Sequence, residues 1–181
     1  YDNIKKSIHY LLSCNAGEIV TMLFASIFNL PLPLFPIQIL WINIATDGLP
    51  ALALGVDSVA PDIMKRPARR STEQIIDRNL GSLIVFQGFL IALSTLLAYL
   101  YVLYYTSSLN PGSLYSWFLN ELIPCCFGGP LSGNLERART VAFTVMVVSQ
   151  LFHSFNCRNA KRSLFEIGVF TNKKLLLAAG L

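Results

Sequence analysis

"NIATDGLPAL", residues 43–52, packs an amide, a hydroxyl and a carboxylate into five positions, and then adds Gly48 and Pro50. The stretch sits in the middle of a long apolar run. A soluble core has little use for such a combination. Inside a membrane it is expensive, because an ionised acid at mid-depth costs about 2.5 to 3.5 kcal/mol on insertion scales. The first question is therefore whether the surrounding chain spans a bilayer.

Composition says that it does. The 181 residues are 54% hydrophobic and only 13% charged, against roughly 25% charged in soluble domains. The apolar residues fall into runs near the length of about 20 residues that a helix needs to cross a bilayer. The reading is an all-α, polytopic transmembrane helix bundle forming one membrane domain over 1–181, with approximate spans at 8–30, 37–56, 80–105, 137–156 and 174–181. Pro31, Pro33 and Pro36 predict a short hairpin between the first two, since Pro cannot continue a helix. The tyrosines of "YLYVLYY", residues 99–105, read as an interfacial belt. No cleavable signal peptide is expected at the start. The missing initiator Met and the end inside "LLLAAGL" read as a piece of something larger.

The net charge of +4 is small and dispersed, which argues against nucleic acid as a partner. Its placement carries more information. Lys5 and Lys6 precede the first run. Lys65, Arg66, Arg69, Arg70 and Arg78 lie between the second and third, and Arg158, Lys161, Arg162, Lys173 and Lys174 between the fourth and fifth. All three stretches fall on one side of the membrane if the spans are real, and the positive-inside rule makes that side the cytoplasm.

Two acids lie well within the spans, Glu18 and Asp47, and each has polar company at helical spacing. Asn15 stands three residues before Glu18. Asn43, Thr46 and Asp47 stand at i, i+3 and i+4, which puts them on one helical face. Gln150 and His153 repeat the three-residue spacing in the fourth run. Amides and hydroxyls often do no more than join helices, and that reading stays open for Thr46, Asn43 or Gln150 taken singly. It does not serve the acids, because neither span carries a Lys or Arg at mid-depth. A bound cation is the natural counter-charge, and oxygen ligands suit a hard ion such as Ca²⁺, with Mn²⁺ sharing the preference. Gly48 and Pro50 then predict a helix break that frees backbone carbonyls at the site. His153 reads as a buried hydrogen-bonding group and Trp117 as a packing residue. The four cysteines, with Cys14 and Cys157 isolated and Cys125 next to Cys126, show no metal-binding spacing.

The segments "NAGEIV" (15–20), "PLPLFPIQILWINIATDGLPALALGVD" (31–57), "DIMKRPAR" (62–69) and "FNCRNAKRSLFEIGVFTNK" (155–173) resemble the last transmembrane block of P-type ATPases of the calcium-pump type. The resemblance covers essentially the whole chain. It implies the fifth to eighth helices of such a pump, with the start of the ninth. It also implies that Asn15, Glu18, Thr46 and Asp47 line one calcium site and that Asn43 and Asp47 contribute to a second. Gln150 falls where two-site animal pumps usually carry an acid. Sodium/potassium pumps carry Asp at the position of Asn43. The resemblance places ATP, Mg²⁺ and the phosphorylated Asp in cytosolic domains outside this chain, which would partner it together with the remaining helices and the lipid bilayer. It implies calcium export across the plasma membrane, with protons as counter-ions. Short loops without added tails point to a bacterial pump. A passive channel or an ion-coupled carrier would explain the two acids equally well, but not the extended match.

Overall fold

The apolar runs of the sequence lie in helices in the computed structural model, which describes residues 2–57, 76–105, 134–158 and 173–180. The elements are α1 (Asp2–Ile27), α2 (Pro36–Trp41), a π-helical segment (Ile42–Gly48), α3 (Leu49–Gly55), α4 (Arg78–Tyr105), α5 (Asn134–Asn156) and α6 (Lys173–Gly180). The architecture is an all-α, multi-span transmembrane bundle. Among the described residues, Asn3–Ile27, Pro36–Gly55 and Arg78–Tyr104 are long and apolar enough to cross a membrane. α5 has 23 residues and is more polar, with Glu136 in its first turn. The expectations for the loop basic residues 65–70 and 161–162, for Trp117 and for Cys125 and Cys126 lie outside the described residues.

α1 stops where its sequence allows. Asn29 takes φ 50°, the left-handed conformation that Asn tolerates at a helix end. The amides of Asn29 and Leu30 then reach back to the carbonyls of Ser26 and Ala25, at 3.2 and 2.9 Å. Pro36 opens the next helix from its first turn, where a missing N–H is no loss. The hairpin is pinned from two sides. Tyr99 donates its hydroxyl to the carbonyl of Pro31 at 2.7 Å, and Arg139 Nε donates to that of Leu32 at 2.9 Å. The Arg139 guanidinium also sits 4.4 Å from the centroid of the Phe35 ring. Tyr99 is fully buried, so it leaves the expected aromatic belt, whereas Tyr101 and Tyr104 stay exposed.

The opposite end of the bundle is tied by charge. Asp57, just past α3, lies 3.5 Å from Lys6 Nζ and 3.6 Å from Arg158 Nε. Its carbonyl accepts from Asn3 Nδ2 at 2.8 Å, and Lys5 meets Asp77 ahead of α4 at 3.4 Å. The start of α1, the end of α3, the start of α4 and the end of α5 therefore share one end.

Between these ends, α1 packs along α4 and α4 along α5. The α1–α4 crossing is tightest at two glycines. A Cβ on Gly88 would stand 2.8 Å from Ala16 Cβ and 3.0 Å from the carbonyl of Ser13. One on Gly17 would stand 3.0 Å from Ile91 Cγ2. Small residues allow such backbone approach, which supplies van der Waals contact where no hydrophobic effect drives helices together. Two apolar clusters flank the middle of the bundle. One joins Tyr10, Cys14, Leu54, Cys157 and Leu175, and the other joins Leu34, Ile42, Ile91, Phe143 and Met146.

Candidate cation site

The polar residues of α1, the π-segment and α5 meet between those two clusters. The local cause is Pro50. Its ring cannot donate to the carbonyl four residues back and clashes with it in an α-helix. The expected break does not occur. Gly48 (φ −64°, ψ −49°) and Leu49 (φ −66°, ψ −48°) both remain in the right-handed helical region. The chain widens into a π-turn over Ile42–Gly48 instead, as helices commonly do at functional positions. Widening relieves the clash while keeping the rest of the ladder. A Cβ on Gly48 would meet nothing closer than 3.6 Å, so the turn does not depend on Gly48 for space.

The carbonyl of Thr46, four residues before Pro50, is taken by α1. The Tyr10 hydroxyl lies 3.0 Å from that carbonyl and 3.3 Å from Asp47 Oδ1. One proton thus serves two acceptors. Asp47 and Gln150 are fully buried, and Glu18 and Thr46 nearly so. Glu18 is held on both oxygens: Asn43 Nδ2 donates to Oε2 at 2.9 Å and Gln150 Nε2 to Oε1 at 3.1 Å. Asn43 Nδ2 also reaches the carbonyl of Ile39 at 2.9 Å.

Glu18, Asn43 and Gln150 therefore form one hydrogen-bonded group. Asp47 joins α1 through Tyr10, and Thr46 contributes its carbonyl as well as a buried side chain. Asn15 is half-buried one turn before Glu18 and forms no hydrogen bond with the other five. Two oxygens in this layer, Asp47 Oδ2 and Gln150 Oε1, are buried with no hydrogen-bond partner. Buried polar atoms are rarely left so. Tyr10 was absent from the sequence-derived set. The signal for it was indirect: a Tyr two turns before Glu18 on α1, opposite a proline that frees a carbonyl.

Residues 31–181 match the family described as cation transporting ATPase, C-terminus. The chain belongs to that family. It is homologous to the C-terminal part of calcium-transporting P-type ATPases. It is 43% identical to a calcium-transporting ATPase of Bacillus subtilis, over 97% of this chain and 17% of that protein. It is 44% identical to calcium-transporting ATPase 1 of Bacillus cereus, over 98% of this chain and 19% of that protein. A calcium-transporting ATPase 1 of Yarrowia lipolytica is 33% identical over 99% of the chain and 17% of its own length. The chain thus spans less than a fifth of the length of these relatives. This ATPase C-terminal domain holds its two intramembrane acids on different helices, Glu18 on α1 and Asp47 on the π-segment.

Proposed function

We propose that this domain is the ion-binding half of an ATP-driven calcium pump, with Ca²⁺ as its substrate. The observation that carries the reading is the pair of buried, unpartnered oxygens, Asp47 Oδ2 and Gln150 Oε1, beside the carboxylate of Glu18. Two carboxylates, three amides, a hydroxyl and a backbone carbonyl make an all-oxygen donor set of the kind hard divalent ions take. Asn15, Glu18, Asn43, Thr46, Asp47 and Gln150 would supply it. The amides of Asn43 and Gln150 present nitrogen to Glu18. Each would turn over as a cation enters, offering oxygen to the ion where it now offers hydrogen to the acid.

Gln150 supplies no charge, and site strength follows the charge of the ligands. One Ca²⁺ per cycle is therefore the expected stoichiometry, leaving Glu18 to return a proton. α1 to α5 would correspond to the fifth to eighth helices of the pump and α6 to the start of the ninth. ATP and Mg²⁺ would act in cytosolic domains, and the pump would sit in the plasma membrane. The shared end that holds Lys5, Lys6 and Arg158 faces the cytoplasm in this reading, by the positive-inside bias.

The test uses the full-length protein that carries this chain. Calcium-dependent phosphorylation from ATP is expected, together with its loss in Asp47→Asn. Calcium flux that needs no ATP would replace the pump by a channel or carrier. For orientation, a cysteine at Ser71 should resist an impermeant reagent added outside intact cells, and one at Ser113 should react. The reverse labelling would invert the assignment.

A further inference from the structure

A second cluster of metal-ligating side chains lies apart from the acids, at the charged end of the bundle. His9 comes from α1, His153 from the last turn of α5, and Cys157 follows it by one turn. Their ligand atoms all lie within 4.8 Å of one another. Cys157 Sγ is 3.3 Å from His153 Nε2. Tetrahedral zinc, with Zn–S near 2.3 Å and Zn–N near 2.0–2.1 Å, spaces a sulfur and a nitrogen about 3.5 Å apart. That pair already stands close to this separation, because an i, i+4 spacing on a helix aligns two side chains.

We propose that His9, His153 and Cys157 form a site for a thiophilic divalent cation of the zinc type, with the fourth position left to water. His9 shows why the cluster is more than chance packing. Its Nε2 lies 2.6 Å from Gln87 Oε1 on α4. The Gln oxygen can only accept, so Nε2 carries the hydrogen and the lone pair sits on Nδ1, the atom that His9 would then offer to a metal. Ligating histidines are commonly oriented in this way, by donating the other ring N–H to an oxygen. Sulfur and imidazole select a softer ion than the oxygen donors around Glu18 and Asp47. Binding would convert the Cys157 thiol to thiolate and release one proton. The three side chains are buried, as is Arg158, which follows Cys157 directly.

This inference stands whether or not the acids bind calcium. Its test is a Co²⁺ titration of the purified full-length protein, in a non-thiol reductant, reading the thiolate-to-cobalt charge-transfer absorption. The band is expected in the wild type and should bleach on addition of equimolar Zn²⁺. It should vanish in Cys157→Ser and persist in Cys14→Ser, because Cys14 shares an apolar cluster with Cys157 but is not one of the three grouped ligands. Gln87→Leu should weaken Co²⁺ binding by about 10- to 100-fold, the usual effect of removing an orienting partner. If Cys157→Ser does not fold, His9→Gln carries the same expected weakening from a different helix. A wild type with no band, or a band unchanged in Cys157→Ser or His9→Gln, would overturn the site.

Discussion

Gly17 and Glu18 are neighbours on α1, yet they face opposite kinds of surroundings. Gly17 meets α4 closely, so that a methyl group there would stand 3.0 Å from Ile91 Cγ2 and 3.3 Å from the carbonyl of Gly88. Glu18 faces the π-segment and α5 through hydrogen bonds only, beside oxygens that have no partner. The first contact is set by volume and has one solution. The second is set by polarity and has several, since an amide can turn and a carboxylate can change partners at little steric cost. One helix thus holds a fixed face and an adaptable face within a single residue step. That difference explains how an expensive polar layer is kept in register without being frozen.

Substitutions can separate the two faces. The largest effect is expected for Gly88→Leu, whose first side-chain atom alone would overlap Ala16 and the backbone of Ser13. Overpacking commonly costs about 1–3 kcal/mol and more where backbone must move. Fluorescence-detected size-exclusion should therefore show loss of the monodisperse protein. Gly17→Ala should be milder, because the nearest atom it meets is an Ile91 side-chain carbon. Equal damage from both would contradict the picture of a rigid crossing.

Next in size is Asp47→Asn. It leaves packing alone but removes the charge that a divalent ion would need. Calcium affinity should fall by orders of magnitude, as it does when charged ligands are lost. Thermal stability should hold or rise, since a buried carboxylate oxygen without a partner is replaced by a neutral group. A stability loss like that of Gly88→Leu would mean that Asp47 is structural.

Gln150→Glu should act in the other direction. It replaces a donor to Glu18 with a second acid 3.1 Å away, so the protein should lose stability in calcium chelator and regain it in calcium. Equilibrium binding scaled to phosphorylation sites should rise from near one toward two. A ratio already near two in the wild type would refute the single-ion reading.

The smallest effect is expected for Tyr10→Phe. It removes one hydroxyl shared between Thr46 and Asp47. A net change of about 1 kcal/mol is typical for a hydrogen bond, read as a small drop in melting temperature. No change would show that the freed carbonyl finds another donor.

Much of this arrangement could be read from the chain because membranes punish polarity. Glu18 and Asp47 stood out by their cost alone, and the spacing of Asn43 from Asp47 put both on one helical face. The proline hairpin followed from covalent geometry. What the sequence hid were contacts between distant helices. Tyr10 and Asp47 are joined by a turn type that only the packed helix shows, because Pro50 permits either a break or a widening. Cys157 looked isolated along the chain, but four residues on a helix brought it to His153, and α1 brought His9. Tyr99 read as interfacial until the hairpin supplied a carbonyl for its hydroxyl.

The π-segment has one more consequence. In terms of phase, it is an α-helix holding an additional residue in its turn. Removing Ile44, for example, would let the ladder close with the α spacing while the helices on either side kept their relative phase, because the widened turn already absorbs the additional residue. The change would fall inside the turn: Asn43 and Asp47, four residues apart, would stand three apart. The number of residues in this stretch is thus as much a property of the site as their identities.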